Sequence, residues 1–296
     1  MYTYNWYQWL AFFYIYCFLG WIFESTYVSL RKHCLINRGF LRIPLLPLYG
    51  TGAVMLLWVT LPVRDNLFLV YLLGMLSATA LEYITGYMME RLFKMRYWDY
   101  SDQRFHLHGY ICLSSSIAWG FLTLFVTEVI HQPIADFVLG IHPILLIGCV
   151  AAITAVFSAD AYESTKEALE LGVTLEILDS IKREMDELEA KLAVVREEAA
   201  SYAAMVREEA AERLASVKAE TDARVEAALL RQEKRLEHVR TEALELRLHV
   251  LNEKKQSAFR AKNRLGHFYR RQLLKGNPTA SSRFVEALQE LKEKLK

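Results

Sequence analysis

The stretch FVLGIHPILLIGCVAAITAVFSA, residues 137–159, holds no Asp, Glu, Lys or Arg and runs straight into DAYESTKEALE, residues 160–170. The first half is long and apolar enough to span a bilayer, which takes about 20 mostly apolar residues. The second half places a charge at nearly every turn of a helix. From about Tyr162 the sequence changes period, so a soluble helical rod is expected to follow the span.

On either side of this junction the chain divides into unlike halves. Residues 1–160 carry nine Lys/Arg and nine Asp/Glu, whereas the remaining 136 residues carry 26 and 25. Upstream of the junction lie four further apolar segments, about Trp6–Leu30, Leu45–Val63, Asn66–Met89 and Tyr110–Ile130. The first has no basic n-region and is too long for a cleavable leader. The expected fold is therefore all-α: a five-helix transmembrane bundle (1–160), a long coiled-coil helix (161–275) and a short amphipathic helix (276–296).

Loop charges orient the bundle. The 31–44 loop has Arg31, Lys32, Arg38 and Arg42, and the 91–109 loop has Arg91, Lys94, Arg96 and Arg104. The 64–65 loop has only Arg64 beside Asp65, and the 131–136 loop has no Lys or Arg. Basic short loops stay cytoplasmic, so the N-terminus is expected outside a bacterial plasma membrane and the charged half inside. Cys17, Cys34, Cys112 and Cys149 show no paired spacing and are read as reduced thiols.

The rod changes period along its length. Leu178, Ile181, Met185, Leu188, Leu192 and Val195 follow the 3–4 heptad seam. An 11-residue repeat then links Val195, Val206, Val217, Ala228, Val239 and Val250, and VREEAA occurs twice. With no Gly or Pro turn to divide it, the rod is expected to hide this stripe by homodimerisation and to extend on the order of 150 Å. Residues 161–251 have a net charge of −7 and residues 252–296 one of +8. Segment 254–275 interleaves Arg260, Lys262, Arg264, Arg270 and Arg271 with Phe259, Phe268 and Tyr269. It suits anionic lipid headgroups, RNA or an acidic partner. Ser281 or Ser282 can cap a last helix bearing Phe284, Leu288 and Leu291.

Ionisable groups within apolar spans are costly and mark functional sites. Glu24 and Glu82 lie about two turns before the inner ends of the first and third spans, at similar depth. Arg38, Arg42, Arg91, His106 and His108 lie on the side where they can pair with them. Two readings fit: the carboxylates line a polar cavity for binding or gating a solute, or they clamp helices together. The first loop, with Asn37, Gly39, Pro44, Pro47 and Gly50, is either a re-entrant segment or an ordinary turn. The second loop offers Trp98, Asp99, Tyr100 and Ser101 before the His106/His108 pair, whose spacing is a weak metal signal.

Several of these motifs together resemble one family. GWIFE (20–24), NRGFL (37–41), PLLPLYG (44–50), Glu82 with Glu90, RYWDYS (96–101) and HLHGYICLSSSIAWG (106–120) resemble the bacterial ABC-transporter type IV, permease-like membrane proteins. The resemblance covers roughly residues 10–130. It implies a transport protein; the chain is expected to be a permease-like subunit for a small solute, with Glu24, Glu82, Arg38 and Arg42 as its binding or gating site and the loops around Asn37, Gly39, Trp98–Ser101, His106 and His108 facing a partner. This chain departs from the family at His106–Tyr110, where Asn-Leu-x-Gly-Arg is expected. It has no GxxxxGK[ST], GxSxG or HExxH motif, so no enzyme activity, cofactor or metal is expected, and energy for transport would come from a separate ATPase or an ion gradient. The competing expectation is a membrane-anchored coiled-coil scaffold or signalling protein of the envelope. An intramembrane enzyme built on Glu24, Glu82 and His108 is a more remote third.

Overall fold

A computed structural model describes residues 4–216, 220–260, 279–280 and 282–295. Among the described residues the chain is all-α apart from four two-residue strands. It divides into two compact units, Met1–Leu175 with Arg264–Lys296, and Glu176–Asn263.

In the first unit, helix α1 is Trp6–Lys32, α2 is Pro47–Thr60 with a 3-10 turn to Val63, and α3 is Leu67–Phe93. Helix α4 (Leu113–Phe125) passes through a π-turn (Val126–Ile130) into α5 (His131–Gly140). Helix α6, Pro143–Ser216, begins here and contributes to both units. Among the described residues four stretches are long and apolar enough to cross a membrane: Trp6–Arg31, Leu67–Phe93, Leu113–Gly140 and Pro143–Tyr202; Pro47–Val63 is shorter. Large apolar side chains such as Trp58, Phe68, Phe121, Ile144 and Leu145 point outward from the bundle. In water such a surface would aggregate; against lipid it costs nothing.

The expected break at residues 131–136 is instead helical, and the chain turns at Ile141 and His142. Pro133 is the reason for the difference. It has no N–H and its ring crowds the carbonyl four residues back, and the π-turn immediately before α5 is the irregularity that accommodates such a residue. The fourth apolar stretch therefore extends to Gly140 and the fifth begins at Pro143.

Close approach of α1 and α2 rests on small residues. A Cβ on Gly50 would lie 2.6 Å from the Phe13 carbonyl oxygen and 2.4 Å from Cys17 Sγ. The Leu46 amide donates to the Cys17 carbonyl at 3.0 Å, joining the two helices where α2 begins. Phe12, Tyr14, Tyr16, Leu57, Val138, Leu146 and Val150 form the buried core between α1, α2, α5 and α6.

Two small sheets shape the loop end. Strand β2 (His106–Leu107) pairs with β3 (Ile111–Cys112), and β1 (Met95–Arg96) pairs antiparallel with β4 (Thr279–Ala280). The chain's last segment therefore returns to the loop after α3. It continues as α8 (Val285–Leu295), which buries Phe284, Ala287, Leu288 and Leu291 at helical spacing.

The second unit corrects the expectation of an undivided rod. Helix α6 ends at Ser216, α7 runs Glu220–Arg260, and the two pack antiparallel within one chain. Ile181, Met185 and Leu188 meet Leu244, Leu248 and Leu251, and Arg196 pairs with Glu245 at 3.3 Å. These apolar residues are covered within the same chain. Residues 261–278, which include most of the basic segment, and Ser281 lie outside the described residues.

Placing a charge at Leu291, which is fully buried, should cost about 3 kcal/mol. The Leu291→Asp variant is expected to release β4 from β1, read as faster amide hydrogen exchange at Met95 and Arg96. Unchanged protection there would show that β4 holds without α8.

Candidate functional site

A cavity of about 320 Å3 opens between α1, α2, α3 and α4 at the end of the bundle that carries loops 33–46 and 94–112. Glu24, Arg38, Tyr49, Glu82, Tyr97, Trp98, Tyr100 and Trp119 line it, with Thr51 and Thr85.

Glu82, one face of α3, is 5% exposed. Its Oε1 accepts from the Tyr100 hydroxyl at 3.0 Å. Its Oε2 accepts from Trp119 Nε1 at 3.0 Å and from the Ser115 hydroxyl at 3.5 Å. Burial first, and then the neighbouring Glu82 carboxylate, push the Tyr100 phenol well above its ordinary range, so it stays a donor.

Glu24, on α1, accepts from the Tyr49 hydroxyl at 2.7 Å and lies 3.6 Å from Arg38 Nε. Gly20, one turn before Glu24, allows this arrangement, since a Cβ there would lie 2.3 Å from the Tyr49 ring. The Arg38 guanidinium also donates to the Tyr97 carbonyl, and its amide donates to the Ser25 hydroxyl at 3.2 Å. Tyr49 and Trp119 stand with ring centroids 6.1 Å apart. The order Glu24, Tyr49, Trp119, Glu82 thus forms one continuous layer across the cavity.

Beyond that layer lies a second cavity of about 220 Å3, walled by Tyr16, Leu56, Ala78, Leu122, Phe125, Val126 and Ile130 among others. The two cavities share Leu48, Tyr49, Leu81, Glu82 and Trp119.

The two loops are folded by their own polar groups. Asn37 Oδ1 accepts from Trp21 Nε1 at 2.8 Å and from the Gly39 amide at 2.9 Å. Arg96 pairs with Glu90 at 2.7 Å and with Asp99 at 3.2 Å, its guanidinium 5.1 Å from the Tyr110 ring centroid. Asp99 Oδ1 accepts from the Ser101 amide at 3.0 Å and hydroxyl at 2.6 Å. Burial pushes the Asp99 carboxyl up, but the Ser101 hydroxyl and amide and the Arg96 guanidinium outweigh it and hold it below the usual range. Trp98 Nε1 donates to the Tyr110 carbonyl at 2.9 Å.

Of the sequence-derived candidates, Glu24, Glu82, Arg38, Trp98 and Tyr100 converge on the cavity. Arg42 is not among its lining residues. It pairs instead with Glu163 and Glu167, while the Arg42 and Ile43 amides donate to Asp160 at 2.9 and 3.1 Å, strapping the first loop to α6. Asn37, Gly39, Asp99 and Ser101 shape the loops. His108 Nδ1 is 3.3 Å from the Tyr83 hydroxyl, and His106 is exposed. Among the described residues no group of three or more His, Cys, Asp and Glu is placed to hold a metal ion. Sequence reasoning passed over Tyr49 and Trp119, although both stand inside the quoted motifs. It also passed over His131, buried between the Tyr4 and Tyr16 hydroxyls at 3.1 and 3.2 Å.

An apolar helical bundle with a partly polar cavity at its loop end defines an integral membrane protein. The family described as "Putative ABC-transporter type IV" matches residues 11–165, and the chain belongs to it. No curated protein and no solved structure matches the chain.

Gly109 has φ +75°, and a Cβ there would meet Ser101 Oγ at 2.5 Å and Asp99 Oδ1 at 2.7 Å. Gly109→Ala should destabilise the loop by about 1–3 kcal/mol, seen as a lower melting temperature in detergent. Asp99, whose folded value is depressed, contributes stability above the ordinary carboxylate range, lost as pH falls through its lowered value. Its half-open position keeps the effect small. Melting temperature should therefore fall on acidification below about pH 4, and Asp99→Asn should blunt that fall.

Proposed function

We propose that this chain is the permease-like membrane subunit of an ABC-type transporter for a small solute. The observation that carries the reading is the cavity itself, with two carboxylates of similar depth on α1 and α3 and an aromatic layer separating it from a second cavity. Glu24, Glu82 and Arg38 form the binding or gating site.

Excess Lys/Arg in loops 31–44 and 91–109 supports a cytoplasmic location for the cavity mouth and an outside N-terminus. The same loops form the coupling surface to a separate ATPase. Leu35 and Phe105, 85% and 80% exposed, stand out from otherwise polar loop tips. Such apolar tips suit docking into a partner's groove. Arg42, tied to α6, would transmit a pull on the first loop to the helix beyond it.

A scaffold reading draws on one specific observation, that residues 176–263 form a compact unit of their own. Affinity purification of the full chain from its native membrane in mild detergent separates the two. A stoichiometric partner bearing a P-loop is expected, its recovery reduced when Leu35 and Phe105 are both changed to Ser. Recovery of envelope proteins alone, lost on deleting residues 161–296, would overturn the permease reading.

A further inference from the structure

Charges around the cavity do not balance. Glu24 is matched by Arg38 at 3.6 Å. Glu82 takes three hydrogen bonds, all from neutral donors, and no Lys, Arg or His pairs with it among the described residues. Burial in so little water opposes the anion, the three neutral donors support it, and a positive charge brought beside it would support it further. The walls beside it are the rings of Tyr49, Tyr100 and Trp119. Aromatic faces attract cations, and quaternary ammonium groups most characteristically.

The other choices fit less well. An anion would need Arg38, whose guanidinium is already engaged by Glu24 and by the Tyr97 carbonyl. A bare metal ion would need several oxygen or nitrogen ligands, and the described residues offer no such group. At about 320 Å3 the cavity stands at the small end of ligand sites.

Resting on the reading of this cavity as the solute site, we propose that the solute is a compact organic cation, an amine or quaternary ammonium. Its charged head sits at Glu82 against Tyr49, Tyr100 and Trp119. The head supplies the counter-charge that the protein lacks.

The test compares choline with its uncharged isostere, 3,3-dimethylbutan-1-ol, on the purified full-length chain in maltoside detergent at constant ionic strength. Binding is read by tryptophan fluorescence and by melting temperature. Choline is expected to bind saturably and at least about tenfold more tightly than the isostere, and Glu82→Gln is expected to remove that preference. The comparison of the two ligands on the unaltered chain stands even if the variant does not fold. Equal binding of the two, no saturable response to choline, or an unchanged preference in a folded Glu82→Gln variant would each overturn the proposal. The permease reading fails separately: a chain that prefers choline but has no ATPase partner loses that reading and keeps this one, and an ATPase-associated chain blind to choline does the reverse.

Discussion

A carboxylate among apolar helices must be reached by donors, and Glu82 imposes that demand on most of the loop end of the bundle. Its three donors come from two separate stretches: Tyr100 from the loop after α3, and Ser115 and Trp119 from α4. For Tyr100 to arrive there, residues 96–101 have to fold back across the end of α3. The Glu90–Arg96–Asp99 chain, the Ser101 contacts, the Trp98 bond to Tyr110 and the left-handed Gly109 accomplish this. Irregular backbone beside a bilayer is tolerated only when buried in protein or facing water, and this loop has both its side-chain bonds and the β1–β4 pairing.

Helix length explains why there is a cavity at all. Helices α1 and α3 have 27 residues each and α2 has 14, or about 40 Å against about 21 Å. Starting at Pro47, α2 leaves the loop-side ends of its neighbours uncovered. The 33–46 loop covers part of that gap, pinned by Asn37 to Trp21 and by Asp160 to the Arg42 and Ile43 amides. What it does not fill is the cavity, and Tyr49, on the first turn of α2, stands at its inner edge.

Much of this was legible from composition and spacing. The apolar runs, the two basic loops and the two intraspan carboxylates each follow from a single local property, hydropathy or charge. Partners defined by distance in space were not. Trp119 lies 37 residues beyond Glu82 and Tyr49 lies 25 beyond Glu24, and no periodicity links either pair. The 131–136 stretch, expected as a loop, is instead helical, with Pro133 inside a helix that the preceding π-turn accommodates. The packing of residues 181–188 against 244–251 was hidden because a stripe that suits a second copy suits a second segment of the same chain equally. Strands of two residues, such as β1 and β4, carry no pattern at all.

The layer between the two cavities is made of the same side chains that satisfy the carboxylates. Tyr49 hydrogen-bonds Glu24, Trp119 hydrogen-bonds Glu82, and both rings stand between the two spaces. Parting the rings therefore breaks hydrogen bonds to buried charge, which is costly unless another group takes their place. A ligand shifts such an equilibrium only by its preference for one of the two states. A group able to replace the Trp119 and Tyr100 donors at Glu82 has that preference built in, because it removes the cost of opening as it binds. A ligand that leaves both carboxylates with their present donors has no such hold on the layer, however tightly it sits in the cavity.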